Sequence, residues 1–437
     1  MNDYPNSVKE KLTSLIKEMS AEPALFVKDP KRDFTRKRKL PFEAVVQILL
    51  SMGGNSIYKE LLDAQGYDVN TATAPAFVQQ RDKILPFAFE FLLHEFTRSF
   101  SDTKKYKGFR LLAVDGSDLH IATDPDNLDT YFQNHADEKG YNLLHLNAMY
   151  DLVSRLYVDS CIQPRRSDNE NRALTDMVDR SHIKDNVILI ADRGYESYNS
   201  FAHIEKKGWD YVIRVKDTDS SGILAKLHLP ASEEFDVTIE RILTRKQTKD
   251  VKAHPEIYRY LPTNSTFDFL DLHTNKFYHV FFRVVRFKIT DESYETLITN
   301  LNPSTFSPAE LKELYNMRWG IETSFRELKY AVGLTHFHAK KMEYIVQEIF
   351  ARMIMYNFSE MITSHVVIQN SDTRHLYQVN FTVAIHICRY FFRCRHNVLS
   401  PDVEALIQKN ILPIRPGRKD QRKIRPKTAV SFIYRVA

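Results

Sequence analysis

The sequence predicts an α/β protein, with helical regions at both ends and a core of strands and helices between them. Three observations carry that expectation. Apolar residues recur at helical spacing to about residue 105. From Phe109 the pattern changes to short runs rich in Val, Ile and Leu. Helical spacing then returns from Ser307 onward.

In the N-terminal region, Ser7 to Met19 is amphipathic and Pro41 to Met52 is apolar at helical spacing. Gly53-Gly54-Asn55 punctuates the middle, and Ala76 to Phe100 resumes the helical pattern after Pro75. Ile57 to Leu62 followed by Ala76 to Ile84 admits a helix-turn-helix, although the linking stretch is long for one. An ordinary bundle is the competing reading, and DNA contact by residues 1–105 fits either.

The core begins with an apolar strand, Arg110 to Val114, and Asp118 to Thr123 alternates as its hairpin partner. Leu143 to Leu152 and Arg155 to Ile162 read as two further strands. Asn169 to Arg180 is helical, Val187 to Ala191 a buried strand, Tyr198 to Lys207 a helix and Tyr211 to Val215 a strand. The order β-β-β-α-β-α-β is that of a ribonuclease-H-like domain. Residues 222–302 interrupt it with Phe235 to Leu243, Tyr258 to Leu261, Phe277 to Ile289 and Tyr294 to Asn300, each rich in β-branched and aromatic residues. They read as a β-rich insertion. Helices resume at Ser307 to Asn316 and Gly320 to Tyr330. The expected organisation is a helical domain (1–105), a catalytic domain (106–221 and 303–370) split by the insertion (222–302), and a helical C-terminal region with a basic tail (371–437).

Length and composition bound the function. A chain of 437 residues, 43% hydrophobic, can form two or three domains and bury a substantial core. A formal charge of +5 is too mild to identify a nucleic-acid partner by itself. The distribution says more, because Lys28 to Lys39 and Arg415 to Lys427 are dense in Lys and Arg and could neutralise several phosphates. Cys161, Cys388 and Cys394 form no C-x-x-C pair, which argues against a disulfide framework or structural zinc. The polar N-terminus lacks a signal-peptide core. Ile345 to Val367 is apolar but carries Glu348, Arg352, Glu360 and His365, so it reads as a buried helix rather than a membrane span. A cytoplasmic protein with no membrane partner is the expectation.

Chemistry enters at three carboxylates. Asp115 and Asp192 each sit where an apolar strand runs out into a loop, and Glu322 lies in a predicted helix. At ~100° per residue, Tyr315, Arg318, Glu322 and Lys329 share one helical face. Arg offers a planar fork to phosphate oxygens and Lys a point charge. Two divalent ions about 4 Å apart can serve phosphodiester chemistry from a few carboxylates, without His or Cys ligands. Bland alternatives exist for each residue: Asp115-Gly116 as turn chemistry, Asp192-Arg193 as a local ion pair, Glu322 as a surface partner of Arg318 or Arg326. Trp319, Ile321, Phe325 and Leu328 are expected to face the core and leave the Tyr315–Lys329 face open.

The spacing Tyr, two residues, Arg, three, Glu, six, Lys is met by Tyr315, Arg318, Glu322 and Lys329. With Asp115-Gly116 and Asp192-Arg193-Gly194-Tyr195 in order before it, the chain resembles the DDE transposases of the insertion-sequence-four family over roughly residues 105–370. The resemblance implies cut-and-paste transposition. One strand is nicked by water at the element end, and the 3′-hydroxyl then transfers, commonly through a hairpin. It implies that Asp115, Asp192 and Glu322 hold two Mg²⁺ ions, which Mn²⁺ can replace. It further implies that Tyr315, Arg318, Lys329 and Arg193 grip DNA, and that a homodimer synapses the terminal inverted repeats and target DNA in a bacterial cytoplasm. In one respect the chain departs from the pattern. Hairpin-forming relatives stack a flipped base on a Trp in the insertion, whereas Trp209 and Trp319 both lie outside 222–302. Tyr258, Tyr260, Phe267 or Phe269 could offer the aromatic face instead, with a place in the core as the competing reading of each. A nuclease without strand transfer and a non-catalytic DNA-binding regulator are the alternative readings. His336-x-His338 beside His365 lacks telling zinc spacing, and no Walker A loop or nucleophile elbow is present.

Overall fold

The computed structural model describes residues 2–36, 38–100, 104–218, 220–291, 293–368, 376–394 and 400–414. The Arg415–Lys427 basic run lies outside them. Five helices come first: α1 (Asp3–Ala21), α2 (Phe42–Ser51), α3 (Ile57–Gln65), α4 (Ala74–Arg81) and α5 (Phe87–Arg98). The helix expected over 76–100 is two helices, because Pro86 cannot donate to the ladder and the chain turns before it.

The core follows as β1 (Arg110–Ile121), β2 (Tyr131–Phe132), β3 (Tyr141–Asp151), β4 (Leu156–Pro164), α6 (Glu170–Arg180), β5 (Val187–Ala191), α7 (Tyr198–Lys206) and β6 (Asp210–Val215). Residues 110–121 are one strand rather than a hairpin. β3 is long enough to pair with nearly all of it, from Leu112 opposite Asp151 to Ile121 opposite Asn142. That ladder overrides the turn tendency of Asp115-Gly116. β5 and β6 then add parallel strands beside β1. The order β4-β3-β1-β5-β6, with an antiparallel half and a parallel half, is ribonuclease-H-like.

The insertion contributes β7 (Phe235–Thr244), α8 (Lys249–Ala253), β8 (Tyr258–Tyr260), β9 (Phe277–Thr290) and β10 (Ser293–Thr299). Its strands extend the same sheet: β10 pairs with β6, and β9, β7 and β8 continue outward. Helix α9 (Pro308–Asn316) starts at a capping box between Ser307 and Glu310 with Pro308 in the first turn, so its start is specified by three residues together. α10 (Trp319–Arg326) continues after a short turn and passes into a π-helical turn over Glu327–Ala331.

α11 (Met342–Thr363) is buried along nearly its whole length. Its charged residues are partnered as burial requires: Glu348 by Arg81 at 2.9 Å, Arg352 by the Met52 and Gly53 carbonyls, and Glu360 by Arg155 at 2.7 Å. Among the described residues no helix is long and apolar enough to cross a membrane. β11 (Tyr377–Val379), α12 (Phe381–Arg393), α13 (Val403–Lys409) and β12 (Ile411–Pro413) close the fold. Phe391 and Phe392 are buried in α12, but Tyr390 is exposed.

Two apolar layers sandwich the sheet. Leu111 and Ala113 face a core shared with α5, α10 and α11, while Leu112 and Val114 face one built on α6 and α7. This period-two alternation decides which way each functional side chain on β1 and β5 points.

Candidate active site

Asp115 follows Val114 on β1, and Asp192 follows Ala191 at the end of β5. The last paired residues of the two parallel strands are Val114 and Ala191, so both carboxylates stand just past the point where the ladder stops. Continuing the alternation, Asp115 faces the α10 side, where Arg318 meets it. The Arg318 guanidinium lies 3.5 Å from Asp115 and 2.8 Å from Glu322. The i,i+4 pair between Arg318 and Glu322 is therefore present. It is not a surface pair, because Arg318 is only 3% exposed.

Asp192 is held from the other side. Arg214 on β6 reaches it at 2.7 Å and reaches Glu295 on β10 at 3.3 Å. Arg214 and Glu295 were not anticipated from sequence, although an Arg inside the apolar run 211–215 signals a buried charge needing a partner. Backbone N–H groups of Gly116 and Arg193 donate to Asp115 and Asp192 at 2.8 and 2.5 Å.

Four carboxylates (Asp115, Asp192, Glu295, Glu322) thus share two guanidiniums. Burial pushes the Asp115 carboxyl up to about 6; Gly116 and Arg318 oppose the rise, and Glu322 and Asp192 add to it. This surplus of negative charge on hard oxygen donors fits a divalent cation. Asp115, Asp192 and Glu322 would hold it. Among the described residues, the groups whose ligand atoms all lie within 4.8 Å of one another are His145–Asp168–Glu170 and Glu90–His94–Asp159. The trio is not one of them, and the Arg318 guanidinium is inserted between two of its members.

The Tyr315–Lys329 face is not an open groove. Tyr315 is 3% exposed, and its hydroxyl is buried without a hydrogen-bond partner among the described residues. Lys329, displaced from the strict 3.6-residue period by the π turn, donates to the Asp118 carbonyl at 2.8 Å. Trp319, expected in the core, is instead 56% exposed, while Ile321, Phe325 and Leu328 are buried as expected. The helix start after the turn at Met317 rotates Trp319 outward. Arg193 is exposed beside Asp192. His338 is paired with Glu348 at 3.1 Å, and the His365 ring stacks on Tyr4.

In the insertion, Phe267 is buried, and Tyr258, Tyr260 and Phe269 are half-buried. In the basic run, Lys28 bridges Asp82 and Glu343, whereas Lys31, Arg32, Arg36, Arg38 and Lys39 are exposed.

A ribonuclease-H-like sheet with one carboxylate on β1 and another just after β5, where the ladder between these two strands stops, is the arrangement of a class of phosphodiester-processing enzymes, the nucleases and transposases. Within that class the family is shown by sequence: residues 106–358 match the transposase DDE domain, and the chain belongs to that family. No curated protein matches the chain. Among solved structures it is similar to a piggyBac transposase synaptic complex with hairpin DNA. That likeness has 12% identity and a TM-score of 0.43, and it covers 95% of this chain and 87% of that one.

Proposed function

We propose that this protein catalyses cut-and-paste transposition of an insertion sequence of the insertion-sequence-four type, with Asp115, Asp192 and Glu322 as its catalytic carboxylates. The observation that carries the proposal is the meeting of Asp115 and Glu322, over 200 residues apart in sequence, at one buried arginine beside Asp192. Mg²⁺, with Mn²⁺ as a substitute, would supply Lewis-acid activation of water and of the leaving oxygen when bound between these carboxylates. Two ions are expected.

The chain's own residues position the substrate. Arg318 presents a fixed fork whose Nε–H has no hydrogen-bond partner among the described residues, and the Tyr315 hydroxyl, likewise without one, offers a donor beside it. Arg193 and Lys329 add positive charge at the two ends of the acidic centre. The substrates are the terminal inverted repeats and then target double-stranded DNA, and joining two ends in concert calls for a homodimer.

The test incubates purified protein with labelled inverted-repeat DNA from the flanks of the coding region, in Mg²⁺ and in EDTA. Metal-dependent nicking at the element end, lost in Asp192→Asn and Glu322→Gln, is the expected result. Pre-cut ends offered with target DNA then report strand transfer. Nicking without joining would make the protein a nuclease, and binding without nicking would make it a regulator.

A further inference from the structure

Behind the acidic centre, on the α6 side of the sheet, a second group of charges fills the gap that opens where β1 and β5 part. Gly116 and Asp118 follow Leu112 and Val114 on that face, and Asp118 lies directly across from His145 of β3. His145 is buried, with Nδ1 at 2.7 Å from Asp118 and Nε2 at 3.1 Å from Glu170, the first residue of α6. The Glu170 carboxylate lies against both catalytic motifs. A Cβ built on Gly116 would meet His145 Nε2 at 2.3 Å and Glu170 Oε1 at 3.1 Å. One built on Gly194 would meet Glu170 Oε2 at 2.9 Å. Neighbouring Asn171 donates to the Gly194 carbonyl at 3.3 Å and accepts from Ser200 at 3.1 Å, fixing the start of α6 to the Asp192 turn.

The two catalytic aspartates therefore lack a direct ladder between them at the position that matters. Their segments touch a common body instead, and the absence of side chains at Gly116 and Gly194 is what lets it in. We propose that Glu170, held by His145, is a positioning residue that sets the separation of Asp115 and Asp192 and hence the geometry in which they take a divalent ion. Glu170 acts from the opposite face of β1 and does not itself enter the site. The inference rests on the DDE reading of the trio.

The experiment measures Mn²⁺ binding to the DNA-free protein by electron paramagnetic resonance, together with end cleavage and end-DNA affinity. The proteins are wild type, Glu170→Ala, Glu170→Gln, His145→Ala, the Glu170→Ala/His145→Ala double variant and Asp192→Asn. Glu170→Ala is expected to weaken Mn²⁺ binding and cleavage by about 10- to 100-fold with DNA affinity unchanged, the scale of lost support behind a metal ligand. Glu170→Gln, which keeps the shape and an acceptor for His145, should recover most of the loss. The double variant should be no worse than the worse single one. If Glu170→Ala does not fold, Gly194→Ala decides by the same measurements, because its Cβ displaces the carboxylate. Wild-type Mn²⁺ binding and cleavage in Glu170→Ala or Gly194→Ala, with both lost in Asp192→Asn, would overturn the inference and leave the DDE reading intact. Both retained in Asp192→Asn would overturn the DDE reading and the inference with it.

Discussion

Arg318 donates to Glu322 at 2.8 Å across one helical turn while lying 3% exposed beneath the acidic centre. A buried guanidinium serving two carboxylates is both a structural counter-charge and a preset phosphate fork. Arg318→Ala leaves Asp115 and Glu322 without it and should destabilise the fold by about 1–3 kcal/mol while abolishing cleavage. Arg318→Lys keeps the charge but cannot reach both partners with a planar fork, so it should recover stability better than activity. Urea unfolding alongside the cleavage assay separates the two; equal recovery of both would reduce Arg318 to a counter-charge.

Trp319 and Trp209 provide an internal comparison, since the first is 56% exposed and the second 3%. Trp319→Ala should change stability by less than about 0.5 kcal/mol, as exposed sites do. Acrylamide should quench Trp319 readily and Trp209 poorly. Because Trp319 stands next to Arg318, end DNA is expected to protect it from quenching, with a cost of about 1–3 kcal/mol in affinity for Trp319→Ala if a base stacks on it. Unchanged quenching in saturating DNA would place the DNA path elsewhere.

Much of this arrangement was legible in the sequence, for definite reasons. Continuous apolar runs such as Val187–Ala191 have few alternatives to a buried strand, and the Asp that follows one is forced to a strand end. The pairing of Glu322 with Arg318 was legible because it spans a single i,i+4 step. What escaped depends on long-range pairing. The length of β1 is decided by β3, about 30 residues away. Arg214, Glu295, His145 and Glu170 gain meaning only once β6, β10, β3 and α6 are assembled around the aspartates. Trp319 was misplaced because a turn at Met317–Arg318 reset the helical phase, and the openness of the Tyr315 face was misjudged because β1 packs against it.

Several buried contacts tie the N-terminal helices to α11, and one of them is an ion pair. Arg81 of α4 donates to Glu348 of α11 at 2.9 Å and to Gln347 at 2.8 Å, and both charged side chains are almost fully inaccessible. Removing one partner leaves an uncompensated charge inside the protein, so Arg81→Ala or Glu348→Ala should cost about 3–5 kcal/mol. The double replacement by Met and Leu should restore much of it, since two apolar groups bury without that penalty. A calorimetric scan of the three variants checks this, and additive losses in the double variant would show that the pair is not coupled.

His145 gives the fold a pH dependence whose direction follows from its partners. Burial works against its cation, but the hydrogen bond to Asp118 and the charges of Asp118 and Glu170 prevail and raise it from 6.5 to about 9. A base with a raised folded value binds its proton more tightly when folded, so its stabilisation is fully present below pH 6.5. It is lost progressively as the pH rises to about 9. The whole contribution is about 3 kcal/mol at most, from 1.36 kcal/mol per unit. His145→Gln should remove this slope while leaving other titrations in place, so the difference in urea-unfolding free energy between the two proteins should shrink between pH 6.5 and 9. A difference that stays level across that window would mean that His145 is neutral in the folded protein. Glu170 would then be held by a neutral hydrogen bond rather than by an ion pair.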